Sequence, residues 1–374
     1  MAAGADTIAG SHTRVFAGAS RFGSGRDAGH CGGLFRLAPG EVEWERLAGG
    51  LPELAQVRAV VVEPGNADVV WCGTEEGPYR SLDGGDTWAL MALPGPSATV
   101  WSMGFEPAAP GGEGSPLLVG TAPAALYRSM PNVTVSATAA VRWQLLERAA
   151  IPERLDMGFP TRLISLAHNP VDPAEVWAGV EVGGMMHSTD GGLSWTDVTD
   201  GLEALAVQAR YQSRLLSDTD AEGMLDVHRV TVSPAAPRSA FIALRMGVFR
   251  SDDGGASWQD VEVGRFSPLT YCRDVRVSPH DPNVLYAALS DESVGRAGSI
   301  YRSDDLGGTW RRYDNIEPTV VSTMMQVAPS PADPDELWCA TRRGDAFATV
   351  DGGKTWAPYP LPDGGRDIYA LTCG

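Results

Sequence analysis

The stretch RSLDGGDTW at 80–88 recurs as HSTDGGLSW at 187–195, RSDDGGASW at 250–258, RSDDLGGTW at 302–310 and ATVDGGKTW at 348–356. Five copies of one tight turn leave few folds open. Glycines beside an aspartate favour a hairpin, because glycine takes positive φ and short polar side chains bind the N–H groups of the turn. The closing tryptophan is large enough to fill the gap between neighbouring sheets. Such a unit cannot bury its apolar faces alone, so a series of them forms an array.

Two degenerate copies complete the series: LFRLAPGEVEW ends at Trp44, and a stretch opening with YRSMPN ends at Trp143. The tryptophans at 44, 88, 143, 195, 258, 310 and 356 stand 44 to 63 residues apart, the length of one four-stranded blade plus its loops. Within a unit, a β-rich run such as VRAVVVEP (57–64) or VHRVTVSP (227–234) is followed by a proline turn and a second run such as VVWCGT or ELWCAT. A third run reads aromatic–Arg–Ser, and the D-G-G hairpin leads into the fourth. The spacing predicts an all-β chain: residues 1–374 form one seven-bladed β-propeller of four-stranded antiparallel blades. The chain opens on a second-strand pattern, RVFAGAS (14–20), and closes on a first-strand pattern, DIYALTCG (367–374). The C-terminal strand should therefore join the N-terminal blade and remove its open edge.

The S-x-D-G-G-x-[ST]-W units resemble the Asp-box (BNR) repeats of sialidases, xyloglucanases, sortilin-type receptors and photosystem II assembly propellers. The resemblance implies that Asp83, Asp190, Asp253, Asp305 and Asp351 are structural staples rather than catalysts. Sialidases imply six blades, an Arg-Ile-Pro stretch, an arginine triad and a Tyr/Glu nucleophile pair. Here there are seven units and no Arg-Ile-Pro, and Tyr369 on the last strand has no recognisable glutamate partner. Xyloglucanases imply two propellers facing a cleft, and the photosystem factors imply export to a lumen. The chain looks most like the bacterial Asp-box proteins described as sialidase-like or glycosyl hydrolase-like.

Composition narrows the partners. With 29 basic and 47 acidic residues the net charge is −18, which opposes binding to nucleic acid or anionic membranes. Lys354 is the single lysine, so nearly every cation is a planar, fork-shaped arginine. The five cysteines (31, 72, 272, 339, 373) show no metal or disulfide spacing. The N-terminus has no apolar leader, and no run approaches a membrane span. These features point to the cytoplasm. No phosphate-loop, dinucleotide, zinc or nucleophile-elbow motif occurs, so no cofactor is expected. The stretch DTDAEG (218–223) opens like a calcium loop, but its twelfth position is Arg229 rather than glutamate, which argues against Ca2+ at 218–229.

The working face should carry the long connections, opposite the hairpins. These are 20–33, 146–161, 201–226 and 290–299; insertions at 108–116 and 130–142 fall elsewhere. Residues 203–217 have helical composition and suit either a lid or a packed loop helix. Alignment of the inner strands on their turn prolines brings out Arg58, Trp101, Ile164, His228, Arg273 and Met325 six places earlier. Gln56, Thr99, Arg162, Asp226, Tyr271 and Thr323 stand eight places earlier, and Arg21, Glu75, Glu76, Glu181, Arg245, Asp291 and Arg342 close the second strands. Charges there face a wet channel or pair with one another, as a ligand site or a salt-bridge ring.

Two functions follow as expectations. The first is a glycoside hydrolase-like enzyme, or a propeller that binds a carbohydrate or other anionic small molecule. Glu75, Glu181, Asp226 and His228 would supply acid/base or nucleophilic groups. Arg21, Arg58, Arg162, Arg245, Arg273 and Arg342 would clamp an anion, with Trp101 and Tyr271 stacking on a ring. The alternative is a non-catalytic propeller that uses the same face to hold a protein partner, as assembly factors do. His187 is expected to be a surface substitution, and His168 and His280 structural.

Overall fold

A computed structural model describes residues 11–21, 32–107, 115–130, 141–146 and 154–374. Most of the insertions at 108–116 and 130–142, most of the connection 20–33, and residues 147–153 of the connection 146–161 lie outside these residues.

The strands form seven antiparallel sheets of four; six are sequential meanders, and the seventh takes its inner strand from the other end of the chain. Six inner strands are Ala59–Glu63, Thr99–Phe105, Leu163–His168, Val227–Ser233, Tyr271–Val277 and Met324–Pro329, which open blades 2 to 7 in order. The inner strand of blade 1 is Ile368–Cys373, paired antiparallel with Val15–Ala19. Chain ends therefore close the ring, as the sequence predicted. A second clasp lies outside the ladder. Ser11 Oγ and Thr13 Oγ1 donate to the buried Glu336 of blade 7 at 2.7 and 3.1 Å, and Trp338 Nε1 donates to it at 2.9 Å.

The hairpins repeat one hydrogen-bond circuit. In blade 2, Ser81 Oγ donates to Asp83 Oδ1 at 2.7 Å and accepts the Gly85 N–H at 2.8 Å. Asp83 then accepts the Thr87 N–H at 2.9 Å and the Thr87 hydroxyl at 2.6 Å. The same circuit surrounds Asp190, Asp253, Asp305 and Asp351, with Thr349 replacing serine in the last. Gly84 sits at φ +69°, a left-handed position; in blade 6, Leu306 takes the equivalent place at φ +53°.

Three of the unit-ending tryptophans wedge against the preceding blade. Trp44 meets Trp338 edge-on at 5.8 Å, Trp143 meets Trp71 at 6.0 Å and Trp258 meets Trp177 at 6.1 Å. Arginines of the third strand cover second-strand aromatics: Arg80 over Trp71, Arg250 over Phe241 and Arg302 over Tyr286. His187 holds this slot in blade 4, stacked 3.9 Å from Trp177 with Nε2 3.0 Å from Glu175. It is thus a packing residue and not the surface substitution expected.

The segment after blade 4 also corrects an expectation. Its helix runs Asp200–Ala206, earlier than 203–217, followed by a 3-10 turn at Ala209–Tyr211. Leu202, Ala206 and Tyr211 are buried against Met224 and Leu225, so this is a packed loop helix and not a lid.

His168 closes the inner strand of blade 4, and its Nε2 lacks a hydrogen-bond partner. Burial, with Arg128 nearby, lowers its pKa to about 4. The native state then resists a proton that the unfolded chain accepts near pH 6.5, so stability falls as pH drops from about 6.5 to 4. Wild type should lose about 3 kcal/mol more than His168→Leu between pH 7 and 4 in urea unfolding. Parallel pH curves for the two proteins would remove His168 from this role.

Candidate functional site

Inner strands start with a common irregularity. In six blades the register slips by one residue, which leaves Trp101, Ile164, His228, Arg273, Met325 or Tyr369 as an extra residue outside the ladder. This is the geometry of a β-bulge, which re-aims a side chain at the end of pairing. In blade 2, Arg58 holds the same level, its N–H bonded to Gly73 O. Each blade thus presents one residue at the mouth of the central channel. All except Met325 line a cavity of about 70 Å³, which continues past Arg229, Arg276 and Gln326. The cavity has room for a few waters or a small charged group.

Cations and aromatic rings dominate the mouth. The guanidiniums of Arg58 and Arg162 lie 4.6 and 4.5 Å from the Trp101 ring, and Arg162 also stacks on Phe159 at 3.8 Å. Tyr369 meets Trp101 edge-on at 6.0 Å and carries Arg273 at 5.7 Å. Among the described residues no carboxylate lies within ion-pair distance of Arg58 or Arg273. Among the described residues the Arg58 guanidinium donates only to Gln56 O, at 3.2 Å, and the Arg273 guanidinium makes no hydrogen bond. Burial holds the Arg58 pKa below its ordinary value, and Arg162 pushes the same way. Two cations therefore face the channel with ring faces in place of counter-ions.

Beneath them two arginines share one carboxylate. Asp274 is fully buried and accepts from Arg229 Nε at 2.8 Å, Arg276 Nε at 3.0 Å and the Val327 N–H at 3.1 Å. Burial opposes its ionisation, but Arg229 and Arg276 outweigh burial and hold the carboxyl below its usual pKa. Sequence reasoning missed this triad. Its signal was present as three charges, Arg273, Asp274 and Arg276, in one inner strand, YCRDVRV, beside VHRVTV.

The candidate carboxylates are elsewhere, and each is engaged. Glu181 pairs with Arg162 at 2.6 Å, and Asp226 accepts from Arg245 at 2.8 Å and lies 3.1 Å from His228 Nε2. Burial works against Asp226, yet His228 and Arg245 hold it well below the carboxylate range. Glu75 accepts the Gln56 N–H at 2.7 Å and has no cation partner among the described residues. None of Glu75, Glu181 and Asp226 lines the channel cavity. Arg162, Arg245, Tyr271, Arg342 and Arg21 also stay off its wall. Arg342 lies 3.7 Å from Asp367, and the Arg21 N–H is held by the Gln56 side chain. Of the sequence candidates, the structure brings Arg58, Trp101, His228 and Arg273 together.

His228 is placed between acceptors. Nδ1 is 2.7 Å from Cys272 O, and Nε2 faces Asp226 and, at 3.4 Å, the Tyr271 hydroxyl. Burial pushes the imidazole toward neutrality, Asp226 pulls the other way and Arg273 pushes with burial. At 218–229, the Glu222 carboxylate is occupied by protein N–H groups. Among the described residues no cluster of three His, Cys, Asp or Glu is set to hold a metal, and no helix is long and apolar enough to cross a membrane.

No family model matches the chain. A stretch of 140 residues is 28% identical to a probable oligoxyloglucan-reducing end-specific xyloglucanase of Neosartorya fischeri, covering 33% of this chain and 17% of that protein. Over 249 residues the chain is 23% identical to the photosystem II assembly protein Ycf48 of a Synechococcus strain, covering 65% of this chain and 59% of that one. The matches thus span less than two thirds of either relative. Among solved structures, an ancestral GH74 enzyme superposes with a TM-score of 0.57 at 17% identity, over 83% of this chain and 38% of that one. YCF48 bound to D1 peptide superposes with a TM-score of 0.56 at 15% identity, over 95% and 93%. These likenesses show the fold.

Asp274 supports the floor without touching the mouth. Asp274→Ala leaves two arginines uncompensated in the interior and should cost about 3–5 kcal/mol in chemical denaturation. A loss under about 1 kcal/mol would mean that Arg229 and Arg276 are solvated rather than held.

Proposed function

We propose that this propeller is a binding module that captures a carboxylate-bearing segment of a protein partner at its channel mouth. The observation that carries this reading is the asymmetry of the site. Arg58 and Arg273 lack carboxylate partners, whereas Glu181 and Asp226 are each tied to an arginine. A hydrolase of the two-carboxylate kind needs a proton donor and a base or nucleophile facing one substrate. A wall of unpaired guanidiniums on aromatic rings instead suits an incoming carboxylate, which arginine binds through two parallel hydrogen bonds. The net charge of −18 repels acidic partners at long range, so the local cations select the docking point at contact. The Ycf48 likeness, over nearly the full length of both chains in one solved complex with a peptide, supports this reading at the level of fold.

A second reading keeps the hydrolase. Glu75 lacks a cation partner and Trp101 is half-buried at the mouth, which would suit a sugar ring beside an acid. The xyloglucanase likeness favours it. Release of reducing ends from xyloglucan oligosaccharides, lost in Glu75→Gln and Glu181→Gln, would establish that activity.

The binding reading is tested by anisotropy with a labelled hexapeptide ending in Asp-Glu-Asp and a free carboxylate. Its neutral control carries Asn-Gln-Asn and an amidated end. The acidic peptide should bind at least tenfold more tightly, and Arg58→Gln/Arg273→Gln should erase the difference. Equal affinity for both peptides, or full binding by the double variant, overturns the reading. Binding should also strengthen as pH falls through the His228 pKa, because a proton on Nε2 adds positive charge beside Arg273 and satisfies Asp226. His228→Gln should flatten that dependence.

A further inference from the structure

The connection between blades 4 and 5 carries a feature that the channel mouth does not explain. Leu215 and Leu216 are 59% and 71% exposed at the tip of the segment 213–222. Exposed leucines on a slack loop would mean little. This segment is anchored from within. Glu222 is fully buried, and one of its oxygens accepts the N–H groups of Leu215, Leu216 and Ser217 at 3.0, 2.9 and 2.8 Å, with the Ser217 hydroxyl at 2.8 Å. At the base, the Ser213 N–H donates to Asp220 O at 3.0 Å, and Arg214 pairs with Asp220 at 2.8 Å. A desolvated carboxylate is costly to place in a protein interior. Here it is used to hold three successive amides, and the fold they adopt turns two leucines into water.

The same carboxylate leads to the mouth. The other oxygen of Glu222 lies 3.4 Å from Arg245, Arg245 donates to Asp226 at 2.8 Å, and Asp226 lies 3.1 Å from His228, which lines the cavity. A continuous line of ionic and polar contacts therefore joins the apolar tip to the cationic channel. The two surfaces differ in chemistry and share one support.

We propose that Leu215 and Leu216 form the second half of a bipartite docking surface, whose occupant is a polypeptide segment bearing apolar side chains next to an acidic group. The proposal rests on the reading of the mouth as a carboxylate site. Charge complementarity chooses the occupant: the acidic group meets Arg58 and Arg273, and the apolar residues of the same strand cover the leucines. Neither an apolar ligand nor a simple anion would use both.

The probes are twelve-residue labelled peptides that end in Asp-Glu, with a Leu-Phe pair placed two to eight residues upstream, and matched peptides with Ser-Ser in its place. Anisotropy is measured against wild type, Leu215→Ser/Leu216→Ser and Arg58→Gln/Arg273→Gln, each checked for folding by circular dichroism. At one spacing the Leu-Phe peptide should bind about tenfold more tightly than its Ser-Ser partner, as expected for burying part of two leucines. The leucine variant should remove that gain and leave the Ser-Ser peptide unchanged. If Leu-Phe gives no gain at any spacing, or the gain survives in the leucine variant, the docking surface is overturned while the mouth reading stands. Peptide binding that ignores the arginine substitutions overturns the mouth reading and this proposal with it. Sedimentation of the free protein closes the remaining route. A wild-type dimer that becomes monomeric in the leucine variant would assign the leucines to self-association and overturn the proposal.

Discussion

Ring closure depends on how each blade fills the space against the next. Flat sheets set radially diverge outward, so the outer part of every interface needs more volume than the inner part. The hairpin tryptophans supply it. Trp44, Trp143 and Trp258 each enter from one blade and meet an aromatic of the preceding second strand edge-on. An aspartate circuit fixes the hairpin that delivers Trp258, and Arg80 and His187 cover two of the aromatics met, Trp71 and Trp177. At the narrow inner end small polar groups suffice. Ser102 Oγ donates to Leu163 O of the next blade, and Ser165 Oγ accepts the Val230 N–H. Wedges outside and stitches inside thus join neighbouring sheets.

That construction explains why the fold was legible in the sequence. The tryptophan and the D-G-G turn are required by packing and backbone geometry at one place in each unit, so they recur at readable intervals. The closing strand was legible because the second-strand pattern at 14–20 matched a surplus first-strand pattern at 367–374. The helix after blade 4 was read too late in the chain, because its apolar residues pack on Met224 and Leu225, a tertiary contact with no local signature. His187 was misplaced for a similar reason. Its slot is the arginine slot, and an imidazole stacks on Trp177 as a guanidinium does on Trp71.

The site was legible in position and less so in partnership. Counting back from the turn prolines brought out Arg58, Trp101, His228 and Arg273, because the slip that exposes them falls at one distance from the proline. Counting could not say which charges cancel. Arg162 and Glu181, like Arg245 and Asp226, lie 19 residues apart and look as free in sequence as Arg273 does. The buried Asp274 escaped notice because its neighbours Arg229 and Arg276 come from two blades, and only the closed ring brings three strands to one carboxylate.

The extra residue at the head of six inner strands has a consequence for change in this molecule. A side chain inside the ladder is answerable to a partner across the strand and to a blade on either side. The residue in the bulge has no partner across the strand, and its backbone is set by neighbours that remain paired. At that level two blades carry arginine, Arg58 and Arg273, and the others carry tryptophan, isoleucine, histidine, methionine and tyrosine, on the same scaffold. The mouth thus behaves as seven sockets on a fixed frame, where recognition can be rewritten one letter at a time without renegotiating the fold.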